Sequence, residues 1–414
     1  MPPPGSIDAL LAHERVRAAR HYIERSDEVT LARQAALSAV PAPTGAEGPR
    51  GARLAELFRE AGLGDVTADD VGNVTGWAGA RRDDPVVLSA HLDTVFGPEL
   101  DVSVERAGGR LEGPGIADNA RGLAALVAVA EALVRARVTT VRPVLFAATV
   151  GEEGDGNLRG VKHLFMNGTA GARHAVPLHE PLPAPLRAHA FIALDGAGVE
   201  RIVHRALGSR RYRAAYRGPG GHSWGAFGIA NPANAVGRAV ALIADVPTHD
   251  APRTTCAVVR LGGGTGLNSI PQEAWLDLDL RSEDPRALAQ LDETVGDILA
   301  RACAEENDRR ARGTPALRLD LRRVGDRPSG LTPRAHPLVQ AAIAATRALG
   351  RAHELACAST DANVPIALGV PAIALGAGGR AGDAHLPTEW YENVDGALGV
   401  VRALLVTVAM AEAR

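Results

Sequence analysis

The stretch Pro85-Val86-Val87-Leu88-Ser89-Ala90-His91-Leu92-Asp93 decides the fold. Its first six residues form a short apolar run, rich in β-branched side chains, that is typical of a strand buried on both faces. Similar runs occur at 144–150, 191–194 and 371–375, and a helical pattern of small and apolar residues occupies 119–135. Strands that alternate with helices predict an α/β fold with a mostly parallel sheet and helices on both faces.

The pattern of polar and apolar residues changes between residues 206 and 324, which predicts a second, inserted domain. Residues 211–217 and 274–281 alternate polar and apolar side chains, as strands do in a sheet with one solvated face. The predicted order of elements is strand, helix, strand, strand, helix, strand, which indicates a small α+β sandwich. The stretch 172–189 before it is rich in proline and histidine and predicts an irregular loop. The predicted domains are a discontinuous α/β domain at 1–205 and 325–414 and an insert at 206–324.

The N-terminal region predicts helices. Apolar residues recur at three- and four-residue spacing over 6–23 and 27–40. Thr44-Gly45-Ala46-Glu47 has the pattern of a capping box, in which Thr44 caps a helix and Glu47 reaches back to the cap.

Composition places the chain among ordinary globular proteins and excludes several classes. Of its 414 residues, 46% are hydrophobic and 22% charged, and the formal net charge is -3. Because only 3% of the residues are aromatic and there is no basic stripe, no nucleic-acid partner is expected. The three cysteines are too far apart in sequence to predict a disulfide framework or a thiolate metal site.

No targeting or membrane segment is predicted. The first residues lack the basic and apolar regions of a signal peptide. The apolar run at 403–411 is too short to span a bilayer. We therefore expect a cytoplasmic location and no membrane partner.

His91 and Asp93 are the first candidate site residues, because they stand at the end of the predicted strand. Residues two apart in extended chain face the same side, so both can point into one cleft. Asp93 would then hold the His91 ring as a supporting carboxylate. The alternative is a surface histidine followed by a turn aspartate.

Four further segments place acids or histidine at the ends of predicted elements. Asp118 follows a glycine-rich stretch at a helix start, where the alternative is an ordinary N-cap. Glu152 and Glu153 follow a buried strand, and two adjacent acids repel unless a cation compensates them. Their alternative is a solvated loop pair. Asp195 ends another apolar run, and His385 closes a glycine loop after the last strand.

Taken together, these segments predict a metal site. In open α/β sheets the ligand crevice lies beyond the carboxyl ends of the strands. That crevice would hold two imidazoles and several carboxylates, a donor set that suits zinc, cobalt or manganese. The number of ligands is enough for two divalent metal ions with a shared carboxylate, with zinc favoured. Glu152 would remain as a general base for metal-activated water.

These residues carry a resemblance to a known family. The chain resembles the co-catalytic dizinc peptidases, which include peptidase T, carboxypeptidase G, acetylornithine deacetylase, succinyl-diaminopimelate desuccinylase and the aminoacylases. The insert is similar to the dimerisation or lid domain of that family, and the pattern is closest to the peptidase T-like branch. The matching motifs are Ser89-Ala90-His91-Leu92-Asp93-Thr94-Val95, Gly115-Ile116-Ala117-Asp118-Asn119, Gly151-Glu152-Glu153-Gly154, Leu194-Asp195 and His385.

The resemblance implies a role for each residue of the site. His91 and Asp195 would bind one metal ion, and Glu153 and His385 the other, with Asp118 between them. Asp93 would orient His91, and Glu152 would act as the general base. A non-trans peptide bond is implied between Asp118 and Asn119.

In the insert, the resemblance implies residues that act on the substrate. His222, within Gly220-Gly221-His222-Ser223, would reach the active site of a partner subunit and polarise the scissile carbonyl. Asn268 and Arg281 would hold the substrate carboxylate, for which a guanidinium is well shaped. The alternatives are a turn histidine, a loop cap and a cation on the sheet surface.

Two features after the strands are less specific. Gly376, Gly378 and Gly379 could offer backbone N–H groups to the same carboxylate. Many family members have a lysine soon after the bridging aspartate, whereas Arg121 stands here; we assign it no role.

The predicted function is hydrolysis of a C–N amide bond in small peptides, by a di- or tripeptidase or aminopeptidase. Within the family, an aspartate at the position of Asp195 goes more often with aminopeptidases and dipeptidases. The alternative is an N-acyl-amino-acid amidohydrolase or carboxypeptidase. A second alternative is a non-catalytic metal-dependent binding protein, although the Glu152-Glu153 pair argues against it. The expected partners are a small peptide or N-acyl amino acid and a second copy of the chain, bound through the insert.

Overall fold

The computed structural model describes residues 6–107, 109–166 and 185–414. The chain divides into two compact units, the first formed by Met1–Ala206 and Leu331–Arg414 and the second by Leu207–Gly330. The second unit ends later than the predicted boundary at 324, because its last long strand continues to Arg327. Much of the predicted irregular loop at 172–189 lies outside the described residues.

The elements of both units are numbered in chain order. The helices are α1 (Ile7–Ala12), α2 (Glu14–Arg25), α3 (Asp27–Ser38), α4 (Gly48–Glu60), α5 (Ala120–Arg135), α6 (Arg159–Met166), α7 (Pro232–Ala244), α8 (Pro285–Asp308), α9 (Pro337–Ala348), α10 (Asn363–Ala367) and α11 (Gly396–Ala411). The strands are β1 (Gly64–Ala68), β2 (Val74–Ala78), β3 (Val86–His91), β4 (Glu105–Ala107), β5 (Arg110–Glu112), β6 (Val144–Thr149), β7 (Ala190–Leu194), β8 (Arg201–Ala206), β9 (Gly208–Arg217), β10 (Gly221–His222), β11 (Thr254–Gly263), β12 (Ser269–Ile270), β13 (Glu273–Ser282), β14 (Arg318–Arg327), β15 (Gly330–Leu331), β16 (Glu354–Ala358), β17 (Ala372–Leu375), β18 (Arg380–Gly382) and β19 (Trp390–Glu392).

The main sheet of the first unit has the strand order β1-β2-β6-β3-β7-β17-β8-β15, with β16 paired to β8. Its centre is parallel, because β3 runs parallel to both β6 and β7, and β7 runs parallel to β17. The antiparallel pairs lie further out, such as β2 with β6 and β17 with β8. The prediction of a mostly parallel sheet is confirmed.

Helices cover both faces of this sheet, as predicted. Alternate residues of a strand face opposite sides, and Leu88 packs with Leu126 of α5 and Leu404 of α11 in one apolar cluster. Its neighbour Val87 packs with Phe165 of α6 in a separate cluster. Burying each such side chain contributes about 2 kcal/mol relative to leaving it in water. The continuous apolar pattern of the strand is therefore explained by two cores.

The second unit is a small α+β sandwich, as predicted. Its four-stranded antiparallel sheet has the order β11-β13-β9-β14. Alternate residues of β13, among them Leu276 and Leu278, pack in one cluster with residues of α7 and α8. Both helices begin with a side-chain cap followed by proline, since Asn231 caps α7 and Asp284 caps α8.

Among the residues that the structure describes, no helix combines the length and the apolar character needed to cross a bilayer.

Candidate metal centre

Four parallel strands end at the same edge of the main sheet. They lie in the order β6, β3, β7 and β17, and ligands bind beyond the carboxyl ends of such strands. His91 is the last residue of β3, and Asp195 follows β7 directly. Glu152 and Glu153 follow β6, and His385 lies on the loop after β18. The sheet topology therefore brings distant parts of the sequence to one place.

The carboxylate of Asp118 lies between two imidazoles. Its Oδ1 atom is 3.0 Å from Nε2 of His91, and its Oδ2 atom is 3.3 Å from Nε2 of His385. Asn119 caps α5 by accepting a hydrogen bond from the N–H of Gly122, which fixes the backbone just after Asp118. The peptide bond between Asp118 and Asn119 is cis, as the resemblance implied. Each oxygen of Asp118 is thus presented to a different histidine.

The remaining predicted ligands lie beside these two histidines. Oε1 of Glu153 is 3.0 Å from Nε2 of His385, and Oδ1 of Asp195 is 3.8 Å from Nε2 of His91. Single ligand atoms of His91, Asp118 and Glu153 all lie within 4.8 Å of one another. The structure therefore brings the five predicted metal ligands together, in two groups that share Asp118.

Asp93 contacts both His91 and the backbone of the glutamate pair. Nδ1 of His91 is 3.0 Å from the carbonyl oxygen of Asp93 and 3.5 Å from its Oδ1 atom. The same carboxylate accepts hydrogen bonds from the N–H groups of Glu152 and Glu153, each at 2.9 Å. Because Asp93 is fully buried, these bonds supply the partners that water cannot. Asp93 therefore couples the end of β3 to the turn after β6.

The predicted capping box at Thr44 and Glu47 is wrong. Helix α4 begins at Gly48 with Glu47 as its N-cap residue, and neither side chain caps it. The hydroxyl of Thr44 instead donates to Oδ2 of Asp93 at 2.8 Å. The buried carboxylate of Glu47 accepts from the N–H groups of Gly45 and Gly151. Long-range contacts to the site have replaced the local pattern, so both side chains support the loops that carry the acids.

The neighbouring acids favour the protonated form of both imidazoles. Hydrogen bonds to Asp118 and Glu153 raise the pKa of His385 to about 10. Burial lowers the pKa of His91, but hydrogen bonds to Asp118, Asp195 and Asp93 outweigh it and raise that pKa well above its usual value. Burial also acts to raise the pKa of Asp118, and the two histidines more than offset it and hold the pKa well below its usual range. The carboxylates of the cluster thus favour a positive charge beside them.

The donor set fits a divalent metal ion. It offers imidazole nitrogens and carboxylate oxygens without thiolate, which suits zinc, cobalt or manganese. The carboxylates of Asp118, Glu153 and Asp195 outnumber the two histidines, and a cation compensates such a concentration of acids. The residues present are therefore those that a metal centre needs.

Sequence reasoning missed two buried acids beside the site. Asp361 accepts a hydrogen bond from the hydroxyl of Thr149, and burial raises its pKa to about 6. It follows β16 closely, so a prediction of that strand would have added it to the acids at strand ends. Glu389 accepts hydrogen bonds from backbone N–H groups around Asp118, and no local pattern signals that contact.

Comparison with known families identifies the chain. The model of Peptidase family M20/M25/M40 matches residues 87–411, which include all the predicted metal ligands. The chain belongs to this family. It is therefore an M20 hydrolase. No curated protein sequence matches the M20 chain.

Solved structures of similar fold include peptidases and an amidase. A tripeptidase from Staphylococcus aureus shares 20% identity over 92% of the M20 chain and 98% of its own, with a TM-score of 0.73. The aminopeptidase PepT from Bacillus cereus shares 21% identity over 93% and 98%, with a TM-score of 0.68. A hydantoinase/carbamoylase family amidase from Burkholderia vietnamiensis shares 19% identity over 94% and 97%, with a TM-score of 0.67. At this identity the likeness shows the fold.

The candidate residues of the second unit lie on its surface. His222 is exposed, and its Nδ1 atom accepts hydrogen bonds from the N–H groups of Trp224 and Gly225 at 3.2 and 3.3 Å. A neutral imidazole that accepts through Nδ1 carries its proton on Nε2. Asn268 is close by, because its carbonyl oxygen accepts from the N–H of Ser223 at 2.9 Å. Arg281 donates to the carboxylate of Asp279 at 2.9 Å, so its guanidinium has a partner within the unit.

The glycine loop of the M20 chain is packed inside the protein. Gly376, Gly378 and Gly379 are buried. The N–H of Gly378 donates to the carbonyl oxygen of Gly198 at 3.0 Å, contrary to the prediction that it faces a substrate. A Cβ atom at Gly378 would lie 2.2 Å from the carbonyl oxygen of Gly396, so the glycine is required by close packing.

Arg121 is buried and forms hydrogen bonds with backbone carbonyl groups. Its guanidinium is fully buried and donates to the carbonyl oxygens of Ala377 and Gly396 at 2.8 and 2.7 Å. Arg121 therefore braces the loop after β17.

Proposed function

We propose that this M20 hydrolase uses two divalent metal ions to cleave small peptides, as a di- or tripeptidase or aminopeptidase. The observation that carries the proposal is the position of Asp118, whose two oxygens contact His91 and His385 separately. A carboxylate in that position can serve two ions at once. Two ions, one on each side of Asp118, would use both histidines.

The remaining ligands divide on either side of Asp118. His91 and Asp195 would hold one ion, and Glu153 and His385 the other. Zinc is the favoured metal, with cobalt and manganese as alternatives. When bound, such ions polarise the scissile carbonyl and lower the pKa of a water molecule.

Glu152 is the proposed general base. It is buried in the same turn as Glu153, and its backbone N–H is held by Asp93. A buried carboxylate beside the ligands can accept a proton from the attacking water and deliver it to the departing amine. Asp93 takes no proton in this scheme, because its role is to fix the positions of His91 and the glutamate pair.

His222 is proposed to act on the substrate from a second copy of the chain. Its Nε2–H is a donor that can stabilise a developing oxyanion. Trp224 and Phe227 are exposed beside it, and Val259 and Leu261 are exposed on β11 at the edge of its sheet. Exposed apolar side chains on an edge strand favour association, which supports a homodimer through the second unit.

The substrate class rests on the family and on the type of the ligands. The tripeptidase and PepT have the same fold, and so has the amidase, so an N-acyl-amino-acid amidohydrolase is the second candidate. Asp195 favours the peptidase. Asn268 and Arg281 are proposed to hold the substrate carboxylate, which would require Arg281 to exchange its contact with Asp279.

The test compares substrates on protein that has been stripped with a chelator and reloaded with zinc. We expect hydrolysis of dialanine and trialanine with free amino termini, and little hydrolysis of N-acetyl or N-carbamoyl amino acids. The opposite preference would support the amidohydrolase. Tight zinc binding without cleavage of any of these amides would support a binding protein.

A further inference from the structure

The side chain of Glu389 accepts hydrogen bonds from the backbone that leads to Asp118. Its Oε1 atom accepts hydrogen bonds from the N–H groups of Ala117 and Asp118, both at 2.8 Å. Its Oε2 atom accepts from the N–H of Gly115 at 3.2 Å. The side chain of Glu389 has no exposed surface. Three hydrogen bonds from backbone N–H groups thus reach one buried carboxylate. Such bonds are charge-assisted and therefore stronger than neutral hydrogen bonds.

Glu389 also lies on the same short segment of chain as His385. The two residues are four positions apart, and the N–H of Glu389 closes a turn by donating to the carbonyl oxygen of Leu386 at 3.0 Å. Its own carbonyl oxygen accepts from the N–H of Gly113 at 2.9 Å. The next residues form β19, which pairs with β5 just before that glycine. The segment that carries His385 is thus joined to the segment that carries Asp118, although Glu389 and Asp118 are 271 positions apart.

The contacts of Glu389 distinguish it from another metal ligand. Both of its oxygens accept from backbone amides, whereas the oxygens of Asp118 and Glu153 face imidazole nitrogens. A carboxylate in this position holds the backbone that leads to Asp118, and it has no contact with either imidazole among the hydrogen bonds of the described residues. Its contribution therefore passes through another residue.

We propose that Glu389 is a positioning residue of the metal centre, which fixes Asp118 beside His385 before any ion binds. The inference rests on the proposed function of the site. It follows that loss of the carboxylate should loosen the loop at 113–118 and let the shared ligand move, while the ligands themselves remain. Changes in residues that support ligands in this way typically lower metal affinity by about 10- to 100-fold.

The first experiment measures the loop in the metal-free protein by hydrogen exchange with mass spectrometry. Glu389→Gln is compared with wild type and with Glu392→Gln, a control in the neighbouring strand that removes a carboxylate of the same size. We expect the amides of 115–118 to be protected in wild type and in the control, and to exchange faster in Glu389→Gln. Equal exchange in all three proteins would overturn the proposal.

The second experiment titrates the same proteins with Co²⁺ and follows its visible absorption. We expect Glu389→Gln to bind Co²⁺ about 10- to 100-fold more weakly than the control, with a cooperative thermal transition before metal is added that shows the variant to be folded. Wild-type affinity would overturn the proposal. If Glu389→Gln does not fold, Glu389→Asp replaces it in both measurements, because it keeps the charge on a shorter side chain. Neither measurement needs turnover, so a failure to find peptidase activity would be a separate result.

Discussion

The Oδ2 atom of Asp93 accepts a hydrogen bond from the backbone N–H of Glu153 at 2.9 Å. Its Oδ1 atom holds the N–H of Glu152 in the same way and lies 3.5 Å from the ring of His91. One buried carboxylate thus sets the spacing between a predicted ligand of the first ion, a predicted ligand of the second and the proposed base. The geometry of the site depends on this residue although it is not itself a ligand.

Asp93→Asn should therefore disturb the site while leaving every ligand in place. The amide of asparagine would turn its NH₂ group towards one of the two backbone N–H donors. One of the two hydrogen bonds to the backbone of Glu152 and Glu153 would therefore be lost. We expect kcat/KM to fall by about 10- to 100-fold and the free energy of unfolding to fall by about 1–3 kcal/mol. Peptide hydrolysis and urea denaturation measure the two effects. Asp155→Asn, an exposed position in the same region, is the control, and equal behaviour of the two variants would contradict the prediction.

Glu152→Gln should separate metal binding from turnover. The variant keeps the size of the side chain and loses the group that accepts a proton. We expect unchanged metal content by atomic emission and a rate of peptide hydrolysis lower by about 10²- to 10⁴-fold. Glu99→Gln, in an exposed loop, should keep both properties. A Glu152→Gln protein with full activity would remove Glu152 from the mechanism.

The stability of the metal-free protein should decrease as the pH rises from about 6.5 towards 10. The pKa of His385 is raised to about 10 in the folded chain, against about 6.5 when unfolded. A raised pKa stabilises the folded state fully below the unfolded value, and the contribution disappears as the pH passes the folded value. Melting temperatures across this range test the sign. His385→Gln should show a shallower decrease, and an identical slope in both proteins would count against the contact with Asp118 and Glu153.

His222→Ala and Glu152→Gln should complement each other when mixed, if His222 acts in a second copy. Each variant alone lacks one component at every site. A mixed dimer contains one site with both components intact, so random exchange of subunits should restore about a quarter of wild-type activity. Activity is measured after the subunits have been separated at low concentration and reassociated. No recovery, with exchange verified by mass spectrometry, would place His222 in the same chain as the site or outside the mechanism.

The sequence predicted those parts of the structure that depend on short local signals. Apolar runs such as 85–90 specify buried parallel strands, and a histidine or acid at the end of such a run must emerge at the edge of the sheet. The helices of the second unit begin at equally local signals, because Asn231 and Asp284 each cap a helix within a few residues of sequence.

The supporting contacts of the site could not be predicted in this way. Thr44 and Glu47 fit a local capping pattern, but in the folded chain they form hydrogen bonds with partners distant in sequence. Glu389 and Asp361 have their roles only because strands far apart in sequence become neighbours. The partner of Gly378 likewise depends on how two loops meet. Long-range packing determines the contacts of these residues, and a single sequence carries no direct record of that packing.

The donors of this site are encoded on both sides of the second unit, with His91 far upstream of it and His385 far downstream. During synthesis, the upstream acids leave the ribosome well before the last histidine exists. A chain at that stage carries only part of the donor set, because it still lacks His385. The complete donor set, and with it any hydrolytic activity of the site, would therefore arise only after synthesis has passed His385.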